Sequence, residues 1–280
     1  MGKTKKVQQT LILILLCCLV VLFLTPIFFV LMNSFKGKLF ISDNPFALPS
    51  GDMYVGLENY IEGIDKTGFF AAFGWTTFIT VFSVLAIVLF TSMTAWFITR
   101  VKTKTSEILY YTFVFSMVVP FQMIMFTMSK LADILKLNNP VGMIVLYLGF
   151  GAGLSVFMFC GFVKGIPYEI EEAAMIDGCN PIVTFFKVVF PILKPTAITV
   201  AILNAMWIWN DYLLPYLVIG VSTPYKTIPV AVQYLMGSYG AKDYGSLMAL
   251  LVLSIIPIIV FYLSCQKHII EGVVAGAVKG

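Results

Sequence analysis

The sequence predicts an all-α fold: a polytopic bundle of about six transmembrane helices forming a single domain over residues 1–280. Three observations lead there. Of the residues, 60% are hydrophobic and 11% charged, and mean hydropathy is +0.95. A soluble domain carries about 25% charged residues, and one of this size could not take so much apolar surface out of water. Six apolar stretches, at 11–32, 70–98, 108–128, 141–162, 196–221 and 247–265, approach or exceed the roughly 20 residues a helix needs to cross hydrocarbon. The net charge of +4 does not point to nucleic acid; where the charges sit matters more than their sum.

The first stretch follows Lys3, Lys5 and Lys6. Its apolar core is longer than a signal peptide's and no small-residue cleavage site follows, so it is expected to be an uncleaved helix. Lys6 stands where a myristoylation signal wants Ser or Thr. An even number of spans puts both termini on one side. That side, with the Arg100–Lys104 and Lys164–Lys194 loops, carries eleven basic residues against seven opposite, so the positive-inside bias places both termini in the cytoplasm. Two outside loops are long, residues 33–69 and 222–246. The first has the Pro, Gly and Asn content of irregular chain with short helices.

Cys17, Cys18, Cys160, Cys179 and Cys265 show no C-x-x-C spacing, and His268 is the one histidine. No metal site is expected; the cysteines read as reduced and core- or lipid-facing.

The segment between the fourth and fifth stretches, residues 165–191, is the most informative. Pro167 suits a first helical turn. Glu169, Glu171 and Glu172 suit the positive end of a helix dipole. Gly178 suits the left-handed residue that stops a helix. Asn180 can cap a second helix with Pro181 at its first position, running to Pro191, with a further break at Lys194-Pro195 before the fifth span. This predicts a helix–turn–helix at the cytoplasmic membrane surface. Ile166, Ile170, Ala173 and Ala174 recur at helical spacing, and two adjacent alanines would let another backbone come close. An amphipathic interfacial helix is the plain alternative. Acidic helices bind anionic membranes poorly, however, so the carboxylates argue for a protein partner.

The run Glu172-Ala173-Ala174-Met175-Ile176-Asp177-Gly178, followed by Phe190-Pro191-Ile192-Leu193-Lys194-Pro195, resembles the EAA loop of binding-protein-dependent ABC importer permeases. It is most similar to the carbohydrate subfamily that includes the smaller permease subunit of maltose transporters. Asn33-Ser34-Phe35-Lys36, Leu57-Glu58-Asn59-Tyr60, Pro120-Phe121-Gln122, Trp207-Ile208-Trp209-Asn210-Asp211 and the Gly272–Gly280 tail extend the resemblance over nearly the whole length. Phe73-Gly74-Trp75-Thr76 stands where family members often carry Asn-Ser.

The resemblance implies the type I importer permease fold. It also implies a second permease subunit, two cytoplasmic ATPase subunits and an extracellular solute-binding protein. The chain lacks a Gly-x-x-x-x-Gly-Lys-Ser/Thr loop, so it is expected to hold no cofactor and to be no enzyme, with ATP and Mg on the partner ATPase. Glu172 would be the ionic contact of the docking helix, Ala173 and Ala174 would permit close approach, Gly178 would allow the turn and Asp177 would fix it. For the last two, a plain helix stop is the alternative. The cytoplasmic tail 267–280 would reach toward the ATPase as an extended, adaptable segment, or simply fray. Asp211 is a carboxylate inside an apolar stretch, beside Trp207, Trp209, Asn210 and Tyr212. Trp207, Asn210 and Asp211 are candidate sugar-pathway residues, and an aromatic belt with the acid reaching water is the other reading. The 222–246 loop would meet the binding protein, a role that deleting Met236–Asp243 would test. The rivals are an ion-coupled carrier, which usually needs more intramembrane ionisable groups; a membrane-anchored assembly factor; and an ABC permease for amino acids or glycerol phosphate.

Overall fold

The computed structural model describes residues 3–220, 223–236 and 243–277. Its regular structure is helical, beside one isolated pairing of Lys36 with Tyr54. In chain order the helices are α1 (Lys3–Asn33), α2 (Lys38–Asp43), α3 (Glu58–Thr67), α4 (Phe69–Arg100), α5 (Lys104–Val118), α6 (Phe121–Ile134), α7 (Pro140–Val163), α8 (Glu169–Ile176), α9 (Pro181–Asn210), α10 (Ile228–Gln233) and α11 (Tyr244–Ala277). Five are long and apolar enough to cross a membrane, or six if the bent pair α5 and α6 is one span. The chain divides into two compact units, Met1–Phe70 with Ala231–Pro257, and Ala71–Val230 with Ile258–Gly280.

The first unit is organised by a buried asparagine. Asn59, in the first turn of α3, donates from Nδ2 to the carbonyls of Ser34 and Lys36, both at 2.8 Å. The Ser34 hydroxyl meets the Tyr60 hydroxyl at 2.7 Å. Lys36, fully buried, donates from Nζ to the Asn44 carbonyl at 2.9 Å. The two motifs Asn33–Lys36 and Leu57–Tyr60 are thus one structure: the Asn59 amide satisfies the Ser34 and Lys36 carbonyls just past the end of α1, and the Lys36 ammonium a carbonyl just past the end of α2. Gly245 packs directly on the Asn59 side chain, with no room for a Cβ. By contrast, the apolar window of α1 buries nothing within the chain.

The second unit packs α4, α7 and α9 around one core. Ile79, Ile87 and Ala95 of α4 meet Tyr147, Val156, Phe159 and Val163 of α7 and Phe185, Val189, Leu193 and Val200 of α9. Caps set the starts. The Thr103 hydroxyl accepts from the Ser106 N–H at 3.3 Å, and Asn139 Oδ1 from the Gly142 N–H at 2.9 Å with Pro140 in the first turn.

Three expectations are corrected. The third apolar stretch is not one helix: α5 and α6 meet at 107° across Val119-Pro120, because Pro120 has no N–H to continue α5 and pushes Val119 out of the helical region, to ψ 112°. The fifth stretch begins earlier and ends sooner. Helix α9 starts at Pro181, runs through Pro191 and Pro195, and stops at Asn210, where Asp211 turns extended. The prolines are absorbed because Phe185–Val189 form a π turn, with the Phe190 N–H on the Phe185 carbonyl. That shift places Pro191 where a missing N–H costs least. Finally, the tail does not leave the last span as extended chain: α11 stays helical to Ala277. Its alanine-containing sequence lets the backbone satisfy itself. The segment 237–242 lies outside the described residues, and with it most of the binding-protein contact expected at Met236–Asp243.

Candidate functional site

Helix α8 is short and well punctuated. Pro167 stands just ahead of it, and Glu169, Glu171 and Glu172 fill its first turn. Gly178 ends it at φ +86°, a conformation that costs a side-chain-bearing residue energy. The Gly178 N–H reaches the Met175 carbonyl and the Cys179 N–H the Ala174 carbonyl, both at 3.0 Å. Asn180 Oδ1 then accepts the Val183 N–H at 2.9 Å and α9 begins.

The three glutamates are not equivalent. Glu169 and Glu172 are exposed, whereas Glu171 is 2% exposed. Its Oε1 accepts from Arg100 Nε at 2.8 Å and Nη2 at 2.6 Å, and its Oε2 from Trp96 Nε1 at 2.9 Å. Arg100 Nη2 also donates to the Ile166 carbonyl at 3.0 Å, and the guanidinium lies over the Tyr168 ring at 5.6 Å. Trp96 and Arg100 are one turn apart at the end of α4 and so share a face. They hold both the approach to α8 and its inner side. A buried carboxylate needs such pairing: without it desolvation costs several kcal/mol.

The outer side of α8 remains open. Glu172, Ala173 and Asp177 are exposed, as are Ile170 (41%), Met175 (44%) and Ile176 (85%). Ile182 and Phe186 on the first turns of α9 are exposed too. The expected alanine pair is split: Ala174 is buried beside Glu171 while Ala173 faces out. Ile166, which lies in the turn ahead of α8, is buried, whereas Ile170 on the helix is exposed. Neighbouring helical residues point about 100° apart, so one adjacent pair cannot serve a single surface. What α8 presents is an acidic rim around exposed aliphatic side chains, unusual on a surface facing water alone.

The second candidate cluster closes α9. Asp211 Oδ1 accepts the Leu213 N–H at 3.0 Å, and Oδ2 accepts the Tyr147 hydroxyl at 3.0 Å. Tyr147 is fully buried, and its ring stands edge-on to Trp207 with centroids 5.5 Å apart. Trp207 is itself 41% exposed. Trp209 instead packs edge-on against Phe73 at 5.9 Å. Asn210 is exposed, and its Nδ2 donates to the Met206 carbonyl at 2.7 Å. Trp207 and Asn210 are therefore available to a ligand, while Asp211 acts first as the turn that ends α9. One turn and a half earlier, buried Asn204 donates to Ser155 Oγ at 3.2 Å and to the Val200 carbonyl at 2.9 Å.

Sequence reasoning read Glu171 only as a helix-dipole acid and Arg100 only as a cytoplasmic loop charge, and did not single out Trp96, Tyr147 or Asn204. The lone basic residue ending an apolar stretch, with a Trp one turn before it, was the available signal for the first three. Tyr147 and Asn204 carry none.

Residues 87–274 match the family described as "Binding-protein-dependent transport system inner membrane component". The probable starch degradation products transport system permease protein AmyC of Thermoanaerobacterium thermosulfurigenes is 40% identical over 98% of each chain. The multiple sugar-binding transport system permease protein MsmG of Streptococcus mutans is 36% identical over the full length of both. Among solved structures, a chain of a bacterial ABC transporter involved in importing the acidic polysaccharide alginate superposes with a TM-score of 0.79, covering 95% of this chain and 98% of that one at 21% identity. The folds are the same.

Proposed function

The chain belongs to the binding-protein-dependent transport system inner membrane component family, a membrane-spanning ABC importer subunit rather than an enzyme, and from that premise we propose that it carries a sugar or oligosaccharide across the plasma membrane of a prokaryote. Relatives named for starch degradation products and for multiple sugars support the substrate class. Trp207 and Asn210 add an aromatic face for a sugar ring and an exposed amide for its hydroxyls.

The solute arrives on an extracellular binding protein, and a second permease subunit completes the path. Two ATPase subunits on the cytoplasmic side hold ATP and Mg and close on each other. The distribution of basic residues supports placing α8 and both termini on that side. One observation carries the reading: α8 is clamped on its inner side by Arg100 and Trp96 and leaves Glu172, Ala173, Ile176 and Asp177 outward. That outer side is where an ATPase subunit docks. Glu172 provides the ionic contact, Ile176 an apolar anchor, and Gly178 the turn that lets α8 project. Closing of the ATPase pair then moves the docked helices and turns the pathway from inward- to outward-facing.

The test is co-purification from native membrane in mild detergent. The wild-type chain brings down an ATPase and a second permease, and a Glu172→Lys, Ile176→Asp variant brings down the permease without the ATPase. A chain that purifies alone, or only with copies of itself, refutes the importer reading. A variant that keeps the ATPase refutes the docking surface.

A further inference from the structure

We infer that the Glu171–Arg100 pair is the joint that makes α4 follow α8, so that ATPase-driven movement of the loop enters the membrane through α4 as well as along the chain into α9. This rests on the importer reading and concerns what lies behind the docking surface. Two covalent links leave α8: residues 164–168 lead back to α7, and Gly178, at φ +86°, and Asn180 lead on into α9; a turn hinged on glycine transmits displacement loosely. A further link is noncovalent and closed: three N–H donors of α4 surround the two oxygens of Glu171 at 2.6–2.9 Å, and Arg100 also holds the Ile166 carbonyl.

Moving α8 without α4 would strand a carboxylate that is 2% exposed away from the cation it pairs with. The loop and the end of α4 therefore shift as one body. Helix α4 can pass that shift on, because Ala95, Ile87 and Ile79, spaced eight residues apart, are all 1% exposed or less in the core. Next to the joint, the Trp96 ring packs on Phe185 at 5.5 Å, bringing the π turn of α9 into the same contact. Arg100 and Glu171 are positioning residues; neither needs to touch solute or nucleotide.

The experiment uses the assembled transporter, with amide hydrogen exchange read by mass spectrometry before and after ATP with vanadate. In the wild type, exchange changes in α8 and in the last turns of α4. In Glu171→Gln and in Arg100→Gln the α8 change persists, because Glu172 still docks, while the α4 change falls by about fivefold. The exchanged pair Arg100→Glu with Glu171→Arg restores it, which a merely structural requirement for these two residue types would not. Arg100→Lys, which keeps the charge, serves as the folding-safe variant and gives an intermediate α4 response. An α4 response in Glu171→Gln equal to wild type overturns the joint while leaving the importer reading standing. Absence of any ATPase in the wild-type assembly overturns both.

Discussion

Two carboxylates of the same unit, the buried Glu171 and the half-buried Asp211, are answered in opposite ways. Glu171 faces a guanidinium and an indole from a distant part of the sequence. Asp211 faces a tyrosine hydroxyl and a backbone N–H two residues on. The first is a charge pair joining two elements; the second is a turn with one supporting contact. The difference teaches that a carboxylate's place in an apolar stretch says little about its role. Asp211 was conspicuous in the sequence for lying in such a stretch, whereas Glu171 was one of four acids in a loop, and the loop acid is the more deeply buried.

The contrast can be broken most severely at Arg100. Arg100→Ala leaves Glu171 buried and unpaired and is expected to cost about 3 kcal/mol of stability, read as a lowered unfolding midpoint in detergent. The double replacement Arg100→Met with Glu171→Leu should recover most of that, since an apolar pair of similar size needs no compensation. A double variant no better than the single one would show that the charges do more than satisfy each other. Between the two carboxylates, Gly151 of α7 faces Asn204 Oδ1 and the Ile87 side chain so closely that a Cβ would sit 2.7 Å from each. Gly151→Ala should therefore cost about 2 kcal/mol by overpacking, in the same melt. At the Asp211 end, Tyr147→Phe removes one neutral donor and should cost only about 1 kcal/mol. A loss as large as that of Arg100→Ala would end the distinction drawn here.

The smallest effect belongs to a third carboxylate, in the other unit. Burial pushes Asp243 up, but the Lys66 ammonium and the Ser246 N–H and hydroxyl outweigh it and hold the carboxyl below its ordinary value. Lys66 is raised, first by Asp243 and then by Glu62. Asp243's contribution is complete above its unfolded pKa, near 3.9, and fades as pH falls through the lower folded value. That of Lys66 is complete below about 10.4 and fades as pH rises through the higher folded one. Because Lys66 is 47% exposed, the pair should be worth about 0.5 kcal/mol or less and weaken in salt. Melts of wild type and Lys66→Ala at low salt should differ slightly at neutral pH and converge at both extremes.

Prolines show how far the sequence could be read. Pro26, Pro120 and Pro257 fall within apolar stretches, and Pro195 borders one. Pro26, Pro195 and Pro257 remain inside helices, whereas Pro120 marks a break. Each removes the same N–H, yet the outcomes differ. At Pro120 the chain turns, with Val119 at ψ 112°, whereas in α9 a π turn absorbs Pro191.

By itself the sequence determined the all-helical membrane fold and the local punctuation at Gly178, Asn180 and Pro181. These follow from hydrophobicity, length and backbone conformation, which act over a few residues. It did not determine which glutamate of α8 is buried or which of two alanines faces out. The buried glutamate is chosen by a partner 71 residues away in the chain, Arg100 for Glu171. Only tertiary packing brings such groups within hydrogen-bonding distance, and only there does the cost of an unpaired buried charge or carbonyl choose among arrangements that are locally equivalent.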